Sequence, residues 1–257
     1  MTTATTTPGL AGRHYLVTGA ATGIGAAIAS RLVASGARVT GVGLDADAGQ
    51  TLASQLYDGN LFTFAERDVT DEDAVLEFFA GLQPIDGVVN CAGIYPPDQR
   101  LEDVGLADFR RVLEVNLVGT FLICRSALPL LRAVGGGSIV NIASVHAFAG
   151  APGQGAYAAS KGAIASLTRQ IAVDYAADSI RANSILVGSV DTRITRAAID
   201  AAGSAAALSL DGNREALGRI ADPAEVATVV GFLLSPDSSF ITASALLADG
   251  GLTARIL

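Results

Sequence analysis

Short runs of apolar and β-branched residues alternate along this chain with longer Ala/Leu-rich stretches whose polar positions recur at helical spacing. The short runs lie at 14–18, 38–44, 61–67, 87–90, 138–143, 181–187 and 245–248, and predict strands. The stretches at 23–34, 46–56, 71–82, 106–132, 156–177 and 223–234 predict helices. Gly135 to Gly137 stop the longest of these. Asp222 before Pro223 reads as an N-cap followed by proline at the first helical position. Thr70 is placed to cap the helix after it, with Asp73 near the reciprocal position.

Strand then helix, repeated about seven times, predicts an α/β fold with a parallel sheet covered by helices on both faces. The strands are continuous apolar runs, as expected of strands buried on both sides. No linker or charge run divides the chain, so residues 9–257 are expected to form a single domain of three layers, α/β/α. Residues 1–8 are Thr-rich and read as a loose tail. The segment 193–219 is rich in Ala and Ser with weak helical character, and reads either as a mobile lid, the favoured reading, or as a pair of short surface helices.

Composition narrows the function. The formal net charge of −8 argues against nucleic acid, whose phosphates are bound by basic surfaces, without excluding an anionic ligand held locally. No basic segment precedes an apolar core at the N-terminus, and no uninterrupted apolar run nears the ~20 residues of a membrane helix. The expectation is a soluble, cytoplasmic protein. Cys91 and Cys124 lack CxxC spacing and are expected to be reduced and buried. His14 and His146 are too few and too far apart to suggest a metal site.

The candidate chemistry begins after the first predicted strand, with Thr18-Gly19-Ala20-Ala21-Thr22-Gly23-Ile24-Gly25. Glycines at 19, 23 and 25 let the backbone turn tightly against a pyrophosphate, and the helix they open offers unpaired N–H groups to its charge. Its place between a strand and a helix is that expected of a doubly wound, Rossmann-type dinucleotide site, with the spacing G-x-x-x-G-x-G in place of the commoner G-x-G-x-x-G. Further on, Tyr157 and Lys161 stand four apart, on one face of a predicted helix. An ammonium beside a phenol favours the phenolate and is expected to lower its pKa, which suits proton exchange with a hydroxyl or carbonyl.

Together these segments resemble the short-chain dehydrogenase/reductase family. Asn90-Cys91-Ala92-Gly93 resembles its NNAG segment, Asn116 its helix asparagine, Ser144 its serine 13 positions before the tyrosine, and Asp249-Gly250-Gly251 its C-terminal DGG. The resemblance implies a catalytic set of Asn116, Ser144, Tyr157 and Lys161. Tyr157 would act as general acid or base, Lys161 would tune it and bind the nicotinamide ribose, Ser144 would steady the reacting oxygen, and Asn116 would hold a water linking Lys161 to solvent. The cofactor would lie against Gly19, Thr22, Gly23, Ile24, Gly25, Asp68, Val69, Asn90, Ala92, Gly93, Gly188, Val190 and Thr192.

Two positions depart from the family pattern. Gly43 stands where an acidic residue usually binds the adenosine ribose, and Val187 precedes Gly188 where proline is usual. No basic residue stands at Leu44 or in the glycine loop, and Asp45 and Asp47 would repel a ribose phosphate. NAD is therefore favoured over NADP, with Asp45 either contacting the ribose or capping the next helix.

The resemblance implies reversible hydride transfer between nicotinamide and a secondary alcohol or ketone, without a metal. Tyr95, Ile94, His146, Phe148 and Gln154 would face the substrate beside Ser144 and Tyr157. They are mostly apolar or neutral, as suits a modest uncharged molecule. His146 either contacts a polar substituent or has no role, and Arg193 and Arg196 either bind an anionic group or are solvated. The competing functions are a non-catalytic nucleotide sensor and a non-redox epimerase or dehalogenase-like enzyme. The resemblance further implies a homotetramer formed through the two long helices and the C-terminal residues 254–257.

Overall fold

The computed structural model describes residues 6–56, 60–205, 210 and 212–254. Its seven strands are β1 (His14–Thr18), β2 (Arg38–Gly43), β3 (Phe62–Glu66), β4 (Gly87–Asn90), β5 (Gly137–Ile142), β6 (Ile180–Val187) and β7 (Ala245–Ala248). They form one parallel sheet in the order β3-β2-β1-β4-β5-β6-β7. The chain starts at β1, builds outward to β3, then crosses to β4 and builds outward on the other side. At that reversal the connections leaving β1 and β4 diverge to opposite faces and open a crevice above their carboxyl ends.

Helices α1 (Gly23–Ala34), α2 (Ala46–Gln55) and α8 (Pro223–Leu234) bury Ile28, Leu32, Leu52, Val230 and Leu233 on one face. Helices α3 (Glu72–Gly81), α5 (Gly119–Ala133) and α6 (Gly155–Asp174) bury Val75, Phe79, Ile123, Leu131 and Ile171 on the other. Each such side chain contributes about 2 kcal/mol in apolar area removed from water. Helix α7 (Arg193–Ala202) lies within the predicted lid, capped at its start by Thr192. Residues 206–209 and 211 of that segment lie outside the described residues. The end of the segment packs on the loop after β7, where Leu217 N–H donates to Gly250 O at 3.0 Å.

Several expectations change. Asp71, not Thr70, caps α3: its carboxylate accepts from Ala74 N–H at 3.0 Å, while Thr70 is turned back onto Asp68. The helix expected over 106–132 is α4 (Leu106–Leu113) and α5, joined by a π-helical turn at Glu114–Val118. The whole span Leu106–Ala133 is long and apolar enough to cross a bilayer by length and composition, although charged residues interrupt it, and half of its most apolar window is buried inside the protein. Helix α6 ends at Asp174 rather than 177, and residues 176–178 form a 3₁₀ turn. In the supposed tail, Thr7 is buried, with its N–H on Ser35 Oγ and its hydroxyl accepting from Arg31 Nε. Residues 1–5, and the C-terminal 255–257 invoked for a tetramer, lie outside the described residues.

Candidate active site

The glycine loop needs its glycines for packing. A Cβ on Gly25 would stand 2.1 Å from Gly19 O, and one on Gly19, at φ +65°, would stand 2.9 Å from Ala92 N. The loop is thereby pressed onto the end of β4, and Thr18 locks the two together: its hydroxyl accepts from the N–H groups of Cys91 and Ala92, each at 3.1 Å. A cleft of about 580 Å³ runs over this junction, lined by Gly19, Thr22, Gly43, Asp45, Asp68 and Gly93 among others. Val69 and Ala92 line it as well. Side-chain-free backbone beside the start of α1, in a cleft of this size, fits a dinucleotide.

Other predicted cofactor residues stand elsewhere. Ile24 packs against the core, and Gly23 faces the Thr192 side chain, its Cβ position 3.5 Å from Thr192 Cβ. Asn90 does not present its side chain to the cleft. Its amide donates to Asn141 Oδ1 at 2.8 Å, and Asn141 in turn donates to Thr168 at 2.8 Å, tying β4, β5 and α6 together in the core. Val190 is buried, and its carbonyl accepts from the Thr195 hydroxyl at 2.6 Å. Gly188 is required by close approach, since a Cβ there would lie 2.8 Å from Asp249 Cα. Val187 continues β6 in register with Ala248 and is buried in the core.

At the end of the cleft beside α2, Asp45 takes the capping role, one of its two readings. Its carboxylate caps α2, accepting from Ala48 N–H at 3.0 Å, and still lines the cleft. Arg193 reaches across from α7 to pair with it at 3.3 Å. Arg67 and Arg193 line the same cleft, and sequence reasoning missed both as neighbours of this end. Arg196 instead pairs with Asp191 at 2.7 Å.

At the other end, Asn116, Ser144, Tyr157 and Lys161 gather around the mouth of β4 and β5. Asn116 is fully buried in the π-turn, where one extra residue per turn aims its amide at the loop after β4. Its Oδ1 accepts from Ile94 N–H at 2.8 Å, and its Nδ2 donates to Ile94 O and to Ser160 Oγ, each at 3.1 Å. Ser144 is buried at the end of β5; its hydroxyl donates to Val187 O at 3.4 Å, accepts from His146 N–H at 3.3 Å, and lies close enough to the Tyr157 phenol to favour its ionised form.

The expected tuning of Tyr157 by Lys161 is not what this geometry produces. Lys161 donates to Ile142 O at 2.9 Å, and its Nζ stands 5.6 Å from the Tyr157 ring centroid. Burial pushes the phenol up to about 12, against the opposing influence of Ser144. Burial likewise pulls Lys161 down to about 8. Desolvation outweighs a charge that is held on a backbone carbonyl rather than on the phenol.

Of the predicted substrate residues, Tyr95 and His146 flank the phenol, while Phe148 is exposed. Tyr95 stacks edge-on against Tyr157 at 4.9 Å between centroids, and His146 does so at 5.6 Å. Gln154, just before α6, is buried and donates through Nε2 to Asp98. Sequence reasoning missed Asp98. No local pattern marks it, because 56 residues separate it from Gln154. Cys91 lies close enough to Lys161 and Tyr157 to act on both. Its residue is half-buried, not buried as expected, although burial of the thiol pushes it up to about 11. Cys124 is buried and both cysteines are free. His14 is consumed in the core, its ring nitrogens against Pro84 O at 2.9 Å and Thr40 Oγ1 at 2.8 Å.

A family model described as Enoyl-(Acyl carrier protein) reductase matches residues 19–253. The chain belongs to the short-chain dehydrogenase/reductase family. It is 38% identical to the cis-4-hydroxycyclohexanecarboxylate dehydrogenase of Sinomonas cyclohexanicum, over 94% of this chain and 97% of that one. It is 32% identical to the NADP-dependent (R)-specific alcohol dehydrogenase of Lentilactobacillus kefiri, over 96% and 98%. Among solved structures, the Thermoplasma acidophilum aldohexose dehydrogenase superposes with a TM-score of 0.86 at 33% identity, covering 96% of each chain. Membership carries the nicotinamide-dependent chemistry of the family: this chain is an oxidoreductase of the secondary alcohol–ketone couple.

Proposed function

We propose that this protein is an NAD-linked dehydrogenase of neutral secondary alcohols, running in reverse as a ketone reductase, with Tyr157 as its proton-transfer group. The observation that carries the reading is the convergence of Ser144, Tyr157 and Lys161 at one end of the dinucleotide cleft, with Lys161 Nζ 3.7 Å from the Cβ position of Gly93 in its lining. Bound in that cleft, the nicotinamide would supply the hydride acceptor or donor. The chain's own residues do the rest. The Ser144 hydroxyl, beside the phenol, steadies charge on the reacting oxygen. Tyr157 gives or takes that oxygen's proton. Lys161 brings positive charge to the floor of the site, and its burial leaves it able to shed a proton near neutral pH. Asn116 positions the Ile94 backbone and Ser160, and through them the wall of the site.

Asp45 and the absence of any basic residue at Leu44 support NAD over NADP. Arg67 and Arg193 in the same cleft pull the other way, and Arg193 is partly neutralised by Asp45. We read α7 and the segment after it as a substrate lid, latched to the ribose end of the cleft through Arg193. Exposed Phe121 on α5 and Val173 on α6 support assembly through these two helices into a homotetramer. Steady-state rates with NAD and NADP, on a panel of secondary alcohols and ketones, test the reading. A strong NADP preference would overturn the cofactor assignment, and turnover undiminished in Tyr157→Phe would overturn the mechanism.

A further inference from the structure

Beyond the dinucleotide cleft the fold has a second cavity, of about 500 Å³, between the segment after α7 and the loop after β7. Gly212, Asn213, Glu215, Ala216, Gly218 and Gly251 line it, and none of them lines the dinucleotide cleft. Its walls approach closely because glycine permits it. A Cβ on Gly251, at φ +80°, would lie 2.7 Å from Ala216 Cβ, and one on Gly212, at φ +82°, would lie 2.6 Å from Arg219 Cα.

Glu215 is the residue in this wall that neither the proton chemistry nor the nucleotide loop uses. It is 2% exposed, and both of its carboxylate oxygens are buried without a hydrogen-bond partner. Arg219 and Asp249, in the same two segments, are engaged elsewhere. Arg219 donates through both terminal nitrogens to Glu225, each at 2.7 Å. Asp249 accepts from Gly251 N–H at 3.0 Å and from the Thr253 hydroxyl at 2.6 Å. Among the described residues, none of those lining the cavity is basic. A carboxylate taken out of water without donors or a countercharge is costly, and a ligand that supplies both removes much of that cost.

We infer that the Glu215 cavity is a binding site for a small guanidinium compound, a ligand distinct from the alcohol and the nucleotide. Two orphaned oxygens on one carbon call for two donors side by side. A guanidinium presents a planar pair of N–H groups that meets a carboxylate at both oxygens, and it brings the missing charge as well. An ammonium supplies the charge without the paired geometry. A neutral hydroxyl offers one donor and no charge, and an anion is repelled. A divalent metal needs several hard ligands, and among the described residues no group of three or more His, Cys, Asp or Glu side chains could hold one. The cavity volume is that of a small-molecule site and leaves room for the rest of such a compound.

Thermal unfolding of the full chain tests the site, with n-butylguanidine, n-butylamine, potassium chloride or magnesium chloride added to wild type, Glu215→Gln and Glu215→Met. n-Butylguanidine is expected to raise the wild-type Tm saturably, by roughly 5 °C or more at about a hundred times its Kd. n-Butylamine, which has the same tail and charge, and the two salts should raise it clearly less at equal ionic strength. Neither variant should respond to n-butylguanidine. Each variant removes the charge, so one that folds suffices, and the wild-type comparison of the two butyl compounds stands without either. No shift in the wild type, an equal shift from n-butylamine or a salt, or an equal shift in a folded variant would overturn the site. A lack of response together with a larger assembly for wild type than for Glu215→Gln, by light scattering, would give the carboxylate to an arginine of a second copy and overturn the free-ligand site. None of these readouts involves turnover, so the site and the dehydrogenase reading fail independently.

Discussion

Lys161 donates to the Ile142 carbonyl at 2.9 Å, and its Nζ stands 5.6 Å from the ring centroid of Tyr157, the residue it shares a helix face with. The ammonium is thus anchored to the end of β5. This anchoring governs how the site titrates. The lysine is buried and shifted to about 8, and the phenol is held well above its ordinary value.

Lys161 is the only lysine in the sequence, so selective isotope labelling reports on it alone. Its side-chain resonance should titrate with a midpoint near 8, and not near 10.4 as for an exposed lysine. A midpoint close to the exposed value would show that burial does not govern it.

The same shift has a stability signature. Because the folded value lies below the unfolded one, the unfolded chain holds more protons between about pH 8 and the ordinary lysine pKa. The stability contribution of Lys161 therefore rises as pH increases through that window, and is lost as pH falls through about 8. Urea unfolding of wild type and Lys161→Met at pH 7, 8 and 9 should show the wild type gaining on the variant as pH rises. A constant difference contradicts the assignment.

Tyr157→Phe should retain cofactor binding and lose roughly 10²–10⁴-fold in kcat, the range for removing a positioned acid or base. Ser144→Ala should cost about 10²–10³-fold, as for loss of one donor to a developing oxyanion. Fluorescence titration with NADH separates binding from turnover in both variants.

Asn116→Ala removes both partners of the Ile94 backbone at once. Leaving a buried backbone donor and acceptor unpaired is expected to destabilise the protein by about 2 kcal/mol or more. Chemical denaturation measures this directly, and a change below about 0.5 kcal/mol, the size of an ordinary surface substitution, would mean the π-turn does not depend on it.

Gly43→Asp should raise the ratio of kcat/KM for NAD over NADP by about tenfold, the effect of roughly 1.4 kcal/mol of added repulsion of the ribose phosphate. The site accepts a side chain, because a Cβ on Gly43 would meet the Phe64 ring at an ordinary 3.4 Å. An unchanged ratio in steady-state assays would show that Asp45 and the arginines already set the preference.

Much of the fold and the site was legible in the residue order. Alternation of apolar runs with amphipathic stretches placed the seven strands and most helix bounds to within a residue or two. The spacing of Gly19, Gly23 and Gly25, and of Ser144, Tyr157 and Lys161, marked both ends of the site. These signals are local, because strand and helix periods and backbone turns depend on neighbours in the chain. Choices between equivalent local options were less legible. Thr70 and Asp71 can both cap a helix, and Asp68 decided between them by taking Thr70. The π-turn at Glu114–Val118 leaves no mark on a helical period read by eye.

What the sequence by itself determined is the doubly wound fold, the glycine loop and the spacing of Ser144, Tyr157 and Lys161, each written in short-range order. Only the tertiary structure decided what those residues touch. It gave Lys161 to a carbonyl 19 positions earlier, turned Asn90 into the core, brought Asp98 to Gln154 and Arg193 to Asp45. Hydrogen bonds and desolvation act through space, so partners that meet only when the sheet closes leave no trace in the order of the residues.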